Sequence, residues 1–384
     1  MPTTVTNEFG SKVLEYTWEE YQQRLKQRKP LKADTDLNDK DLVVKHTWGL
    51  GDILYSTAAL RGLKLKYPRC RIHYICTNPD ILENNPDVEK IYHFMEFGSL
   101  LELGDSLLKE GKGDWYWLDY DVPLKGGYDY KIHLRTKPQL NEFMRSLLLK
   151  NPKDLSGDER EFVNQASSTV ITRYKMIALD MYCKHAFVDP PEKSVYYYPY
   201  DHELEVARKF MQNARDKGYK VITLLPHAST NFKDYPHWRD VIRLCPPKYF
   251  WLVLDNWARG STWAGPNIQD CTGLFRTRPA QAMVIEADLC CSSDTGFLYP
   301  RAARNRPCVV TYGPHEPEPF LHYFPSAHGL RVPMLQKTEG MIGMCSVGCY
   351  IDTTSCHQKD RIAPCLMELS PETVAGKVME LLGE

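Results

Sequence analysis

Two short segments, about 240 residues apart, limit what this chain can fold into. Gly49-Leu50-Gly51-Asp52 closes an apolar run. Asp294-Thr295-Gly296 closes another, with Ala302-Ala303 and Pro307-Cys308-Val309-Val310-Thr311-Tyr312-Gly313-Pro314 behind it. Each reads as a strand, a tight glycine turn and a helix start. Glycine lets backbone reach conformations and close approaches that other residues resist. Such a turn can therefore hold an aspartate and free backbone N–H groups at the mouth of a cleft. One turn in each half argues for a site shared between two α/β domains.

The patterning between the segments supports this. Strands are expected at Asp41–His46, Arg71–Cys76, Val88–Phe94 and Asp114–Leu118, and helices at Ile53–Tyr67 and Leu100–Glu110. Helices follow at Gln139–Lys150 and Ser167–Lys184. A second series has strands at Lys220–Leu225, Phe250–Leu254, Asp288–Cys291 and Cys308–Tyr312. Its helices are expected at His202–Lys217, His237–Arg243, Pro279–Glu286, Phe297–Arg304 and Pro371–Leu382. Alternating strands and helices predict doubly wound parallel sheets. The expected divisions are a polar extension over 1–40 with one short helix at Trp18–Lys26, an N-terminal Rossmann-like domain over 41–189, and a Pro- and Tyr-rich linker over 190–200. A second Rossmann-like domain with a Cys-rich tail follows over 201–366, then a closing helix within 367–384.

With 384 residues, two hydrophobic cores are the default. A net charge of −1 offers no global basic field, which makes nucleic acid the weaker choice of partner. No apolar run is long enough to span a bilayer, and the first forty residues lack a signal-peptide core. The expected location is cytoplasmic, with peripheral membrane contact left open. Twelve cysteines without a secretion signal argue against a disulfide framework.

Asp52 can act as a general base on a hydroxyl or can cap the helix that follows. The segment Pro226-His227-Ala228-Ser229-Thr230-Asn231-Phe232-Lys233 offers hydroxyls, N–H groups and one cation to a diphosphate, or is a solvated loop. Asp294, Thr295 and Gly296 can bind phosphate and sugar at a helix start, or Asp294 or Thr295 is simply its cap. Leu274 and Phe275 can form an apolar wall for a base, or pack as core.

Together these segments resemble glycosyltransferase family 9, the heptosyltransferases of lipopolysaccharide core assembly and their relatives. The early signature matches Gly49 to Asp52, Ala58-Ala59-Leu60, Tyr67-Pro68, Ile72 and Asn85-Pro86 with Val88. The late one matches Asp294 to Gly296, Ala302-Ala303 and Pro307 to Pro314. Pro226 to Ser229, Lys233 with Trp238, and Cys365 to Val374 match the donor-domain loop and the ending. The resemblance implies a GT-B fold, two Rossmann-like domains facing a central cleft, with 41–189 the acceptor domain and 201–366 the nucleotide-sugar donor domain. It also implies inverting transfer from a nucleotide-diphospho-sugar, ADP-heptose first, to a glycan, protein or other hydroxyl-bearing acceptor.

By the same resemblance Asp52 is the base beside Gly51, and Ser229, Thr230, Lys233, Thr295 and Gly296 hold the diphosphate. Asp294 binds the donor sugar, and Leu274 and Phe275 sit near the nucleobase. No catalytic metal is implied. Tyr55 and Tyr299 stand where many relatives have histidine, which puts the donor or acceptor pocket in question. A nucleotide-sugar-binding protein without transferase activity is the alternative. Cys345, Cys349, Cys356 and Cys365 offer four thiols to a structural Zn or Fe, or pack a loop as reduced thiols.

Overall fold

The computed structural model describes residues 3–6, 12–15, 29–46, 49–94, 96, 103–104, 106–107, 115–120, 177–228, 233–255, 263–313, 316–332 and 364–383. They fall into two compact units. One runs to Tyr198 and the other from Pro199, with Ile177 grouped with the second.

In the first unit, β1 (Thr3–Thr6) and β2 (Lys12–Glu15) pair antiparallel, Thr3 opposite Glu15. β3 (Lys29–Pro30) runs parallel beside a strand of the main sheet, and Leu31 and Leu37 just after it are buried. These features correct the reading of residues 1–40 as an extension. Pro30 is tolerated because β3 is an edge strand. The helix expected at Trp18–Lys26 lies outside the described residues, as does that at Gln139–Lys150.

β4 (Asp41–His46), α1 (Leu50–Lys66), β5 (Arg71–Cys76), β6 (Lys90–His93), β7 (Trp115–Asp119) and α2 (Ala178–His185) complete the unit. The five-stranded parallel sheet has the order β3-β7-β4-β5-β6. The series starts at β4, steps outward to β6 and then returns to lay β7 on the other side of β4. The topological switch point, where open α/β sheets bind ligands, therefore lies at the carboxyl ends of β4 and β7.

α1 is buried all round from Ile53 to Leu60, as its uncharged run demands. Its hydroxyls bond back into the helix, Ser56 Oγ to the Ile53 carbonyl at 2.7 Å and Thr57 Oγ1 to that of Leu54 at 2.5 Å. Gly62 is required by close approach, because a Cβ there would lie 2.8 Å from Val188 Cγ2. At the amino ends of β4 and β5 sits a buried ionic corner. Asp41, fully buried, accepts from Arg71 Nε at 2.9 Å and Nη2 at 2.6 Å and bonds His73 Nε2 at 2.9 Å. Burial pushes the Asp41 carboxyl up, but the His73 and Arg71 hydrogen bonds outweigh it and hold it below the ordinary carboxylate value.

The second unit follows the chain as α3 (Asp201–Asp216), β8 (Lys220–Leu225), α4 (Trp238–Leu244), β9 (Tyr249–Val253), β10 (Ile268–Asp270) and α5 (Thr277–Glu286). Then come β11 (Leu289–Ser293), α6 (Tyr299–Ala302), β12 (Cys308–Thr311), α7 (Glu318–Leu321), β13 (Ala327–Leu330), α8 (Pro364–Met367) and α9 (Pro371–Leu382). The six strands are parallel in the order β10-β9-β8-β11-β12-β13. This is the doubly wound 3-2-1-4-5-6 order, with its switch point between β8 and β11.

The core packs Trp238, Tyr249, Trp251, Leu289, Val309 and Val374. Each such buried side chain is worth about 1.5–3 kcal/mol. α9 has the bounds its sequence predicts, with Ser370 Oγ accepting from Thr373 N–H at 3.2 Å and Gly383 closing it at φ +82°. The helix expected over Phe297–Arg304 is instead a 3₁₀ turn, Gly296–Leu298, followed by the short α6.

Arg301 of α6 is only 1% exposed. Its guanidinium donates to the carbonyls of Val284 (2.9 Å), Ile285 (3.0 Å), Ala287 (2.7 Å), Asp288 (2.8 Å) and Pro307 (2.9 Å). It thereby satisfies the carboxyl end of α5 and locks that end to β11.

Candidate active site

In the first unit, α1 begins three residues before the expected Ile53. Gly49 is its extended N-cap (φ −62°, ψ 162°), and its carbonyl accepts from the N–H groups of Asp52 and Ile53 at 3.0 and 3.2 Å. Gly51 and Asp52 thus lie inside the first helical turn, beyond the carboxyl end of β4. Asp52 does not cap the helix by side chain; that role is vacant at Gly49. Instead Asp52 Oδ1 accepts from the Tyr182 hydroxyl at 3.1 Å. The Tyr182 oxygen lies 3.0 Å from His46 Nε2, at the last position of β4.

Tyr182 has one proton. Given to Asp52, it leaves the phenol oxygen to accept from His46 Nε2–H. His46 and Tyr182 are both buried, whereas Asp52 is half-exposed. Burial first, then the Asp52 charge, pushes the Tyr182 phenol well above its ordinary value, so it remains a donor. Tyr55 stacks beside Tyr182 at 6.2 Å between centroids, and the Tyr120 ring meets it edge-on at 5.0 Å.

In the second unit, the loop after β8 is stitched at both ends. Ser293, the last residue of β11, donates its hydroxyl to the Pro226 carbonyl at 2.7 Å and accepts from Tyr235 N–H at 3.1 Å and Trp238 Nε1–H at 3.3 Å. Ala228 N–H donates to Asp234 Oδ1 at 2.7 Å. His227 Nδ1 bonds Asp255 at the end of β9. The stitching brings Lys233 Nζ to 2.8 Å from Asp294 Oδ2, in a pair only 12% and 10% exposed.

Two residues singled out in sequence are thus joined at the β8–β11 switch point, with Thr295 and Gly296 next in line. Thr295 is extended (φ −134°, ψ 151°), and its side chain makes no capping bond. Ser229 and Thr230 lie outside the described residues. Leu274 and Phe275 follow Gly273, which has φ +71°, beyond β10. Leu274 is 66% exposed, and Phe275 packs edge-on against Phe210 of α3 at 5.4 Å. At about 4.8 Å per strand, β10 ends about 10 Å from β8, a distance on the scale of a nucleotide.

Tyr299 is buried against Phe324, with centroids 5.6 Å apart. Cys345, Cys349 and Cys356 lie outside the described residues, and Cys365 is half-buried with its sulfur against Gly313. Among the described residues no group of His, Cys, Asp and Glu is arranged to hold a metal ion. Among them, too, no helix is long and apolar enough to cross a membrane.

Sequence reading missed His46, Tyr182, Ser293 and the His227–Asp255 pair. His46 and Tyr182 are 136 residues apart, so no spacing motif joins them. Ser293 was visible only as the residue before Asp294.

Two parallel doubly wound α/β units, each with polar and charged side chains at its switch point, define the GT-B class of fold. The model of glycosyltransferase family 9 (heptosyltransferase) matches residues 158–351, and the chain belongs to that family. Solved structures share the fold. ADP-heptose lps heptosyltransferase II of E. coli has 17% identity over 89% of this chain and 98% of its own, with a TM-score of 0.57. A family 9 glycosyl transferase from Veillonella parvula DSM 2008 has 17% identity over 91% and 99%, with a TM-score of 0.52. The iron-containing dodecameric glycosyltransferase TibC of enterotoxigenic E. coli H10407 has 14% identity over 91% and 77%, with a TM-score of 0.52. No curated protein matches the chain.

Proposed function

We propose that the protein is a cytoplasmic inverting glycosyltransferase that moves a sugar from a nucleotide-diphospho-sugar to an acceptor hydroxyl. ADP-heptose is the first donor to test. The observation that carries the reading is the carboxylate of Asp52, fixed through one oxygen yet half-exposed beyond β4.

Asp52 takes the acceptor's proton as the acceptor oxygen attacks the anomeric carbon. The bond from that carbon to the diphosphate breaks, and the nucleoside diphosphate leaves with the electron pair. Lys233 offsets the charge of the leaving group, and the N–H groups at Thr295 and Gly296 add to it. Asp294, which holds Lys233, binds the donor sugar's hydroxyls, and Leu274 and Phe275 flank the nucleobase. Catalysis by this route needs no metal.

Asp52→Asn keeps the shape and removes the base. Release of nucleoside diphosphate from ADP-heptose is expected to fall by about 10²–10⁴-fold, while nucleotide still raises the melting midpoint. Undiminished release removes Asp52 from the role of base. Tyr55 and Tyr299, in the positions of family histidines, favour one second reading, a nucleotide-sugar-binding protein without transfer. That reading predicts binding with no release of nucleoside diphosphate from any donor.

A further inference from the structure

We propose that Tyr182, itself fixed by His46, is the positioning residue that orients Asp52: it binds one carboxylate oxygen and leaves the other for the acceptor hydroxyl. The inference rests on Asp52 being the base. Its warrant is a continuous hydrogen-bonded chain from three separate elements of one unit. His46 comes from the end of β4, Asp52 from the first turn of α1 and Tyr182 from α2.

The chain has a direction. His46 Nε2–H donates to the Tyr182 oxygen, and the Tyr182 hydroxyl donates to Asp52 Oδ1. Each step uses a donor that has no second proton to offer at that atom, so the order cannot invert while Asp52 is ionised. The chain is also braced. Tyr120 Oη donates to the Tyr182 carbonyl at 3.3 Å, and the rings of His46 and Tyr120 each lie within 5.4 Å of the Tyr182 ring, centroid to centroid. A short aspartate on a helix otherwise samples several rotamers. A buried donor on one oxygen selects among them, and the geometry of proton abstraction is sensitive to displacements of this size.

The titratable groups packed around Asp52 and Tyr182 are Tyr55 of α1, His46 of β4, Tyr74 of β5, Tyr120 after β7 and, behind Tyr120, His185 of α2. All but the two histidines are phenols, which are neutral at pH 7.

The test uses Tyr182→Phe in the full chain, which removes one oxygen and keeps the ring packing. Two quantities are read: kcat and donor KM for ADP release from ADP-heptose, and the effect of the same change in an Asp52→Asn background. Loss of the donor is expected to leave the residual turnover of Asp52→Asn unchanged, because Tyr182 then has no base to orient. In the otherwise native chain it is expected to lower kcat about 10–100-fold with the donor KM little changed. A further loss of the same size in the Asp52→Asn background overturns the proposal, because a merely structural residue would lower both alike. If Asp52→Asn retains full turnover, the base reading fails instead, and the two failures are told apart. Should Tyr182→Phe not fold, His46→Leu loosens Tyr182 without touching Asp52. The same dependence on Asp52, from a smaller loss of kcat, is expected, and its absence overturns the proposal.

Discussion

Replacing Arg301 by Met should destabilise the second unit far more than a typical core change. The side chain ties five carbonyls together, and those of Val284, Ile285 and Ala287 are buried with it. Truncation leaves the Val284 and Ala287 carbonyls without this donor where water does not reach, while that of Ile285 keeps Arg306 Nη1 at 2.7 Å. Each stranded acceptor costs about 1–3 kcal/mol, for a gross loss of about 4 kcal/mol. Part is returned, because burying a guanidinium is itself unfavourable. Burial pulls the Arg301 pKa down, which is the same penalty seen from the proton's side.

The net expectation is a loss of about 3 kcal/mol, or about 6–12 °C in the melting midpoint for a unit of this size. Urea unfolding followed by the fluorescence of the buried Trp238 and Trp251 reads it directly. Arg301→Lys keeps the charge but cannot span the fan of carbonyls, so it should fall between Met and the native chain. A loss under about 1 kcal/mol for Arg301→Met would refute the reasoning, since it would mean that the carbonyls find other partners at no cost.

Two further outcomes follow from ionic contacts. Asp41 has its folded pKa held below 3.8, so its contribution is present in full above that value and is lost as pH falls through the lowered one. Asp41→Asn should cost about 2 kcal/mol at pH 7 and flatten the decline of the melting midpoint below pH 4; an unchanged acid decline would exclude this corner as its source. Lys233→Met should weaken ADP binding by about tenfold or more, read as a smaller rise of the midpoint at a fixed ADP concentration. An undiminished rise would place the diphosphate elsewhere.

The architecture was legible wherever several weak signals coincided. β4, β5, β8 and α9 have the bounds that their apolar runs and flanking turns predict. β10 and β13 were not foreseen, because a three-residue edge strand and an Ala-His-Gly-Leu strand carry almost no pattern of their own. They are strands because a neighbour offers a hydrogen-bonding edge. The polar hairpin of β1 and β2 was hidden for a similar reason. At the candidate site, Lys233 and Asp294 were each legible after a strand, but their pairing was not. The support of Asp52 was not legible at all. Neither a histidine ending a strand nor a tyrosine inside a helix announces a shared hydrogen bond, and only the packing of α2 against α1 brings them together.

The position of β4 and β8 inside their sheets has a consequence for how such a protein breathes. Each is flanked on both sides by parallel neighbours, so its amides become exchangeable only when the sheet itself parts. Yet the segments bearing Asp52 and Lys233 leave these same strands, at His46 and Leu225. In a deuterium-exchange experiment, the slowest amides of each unit would sit within a few residues of its most chemically equipped backbone. Any rearrangement that accompanies ligand binding must then pivot about those two strand ends, with the strands themselves acting as the fixed frame.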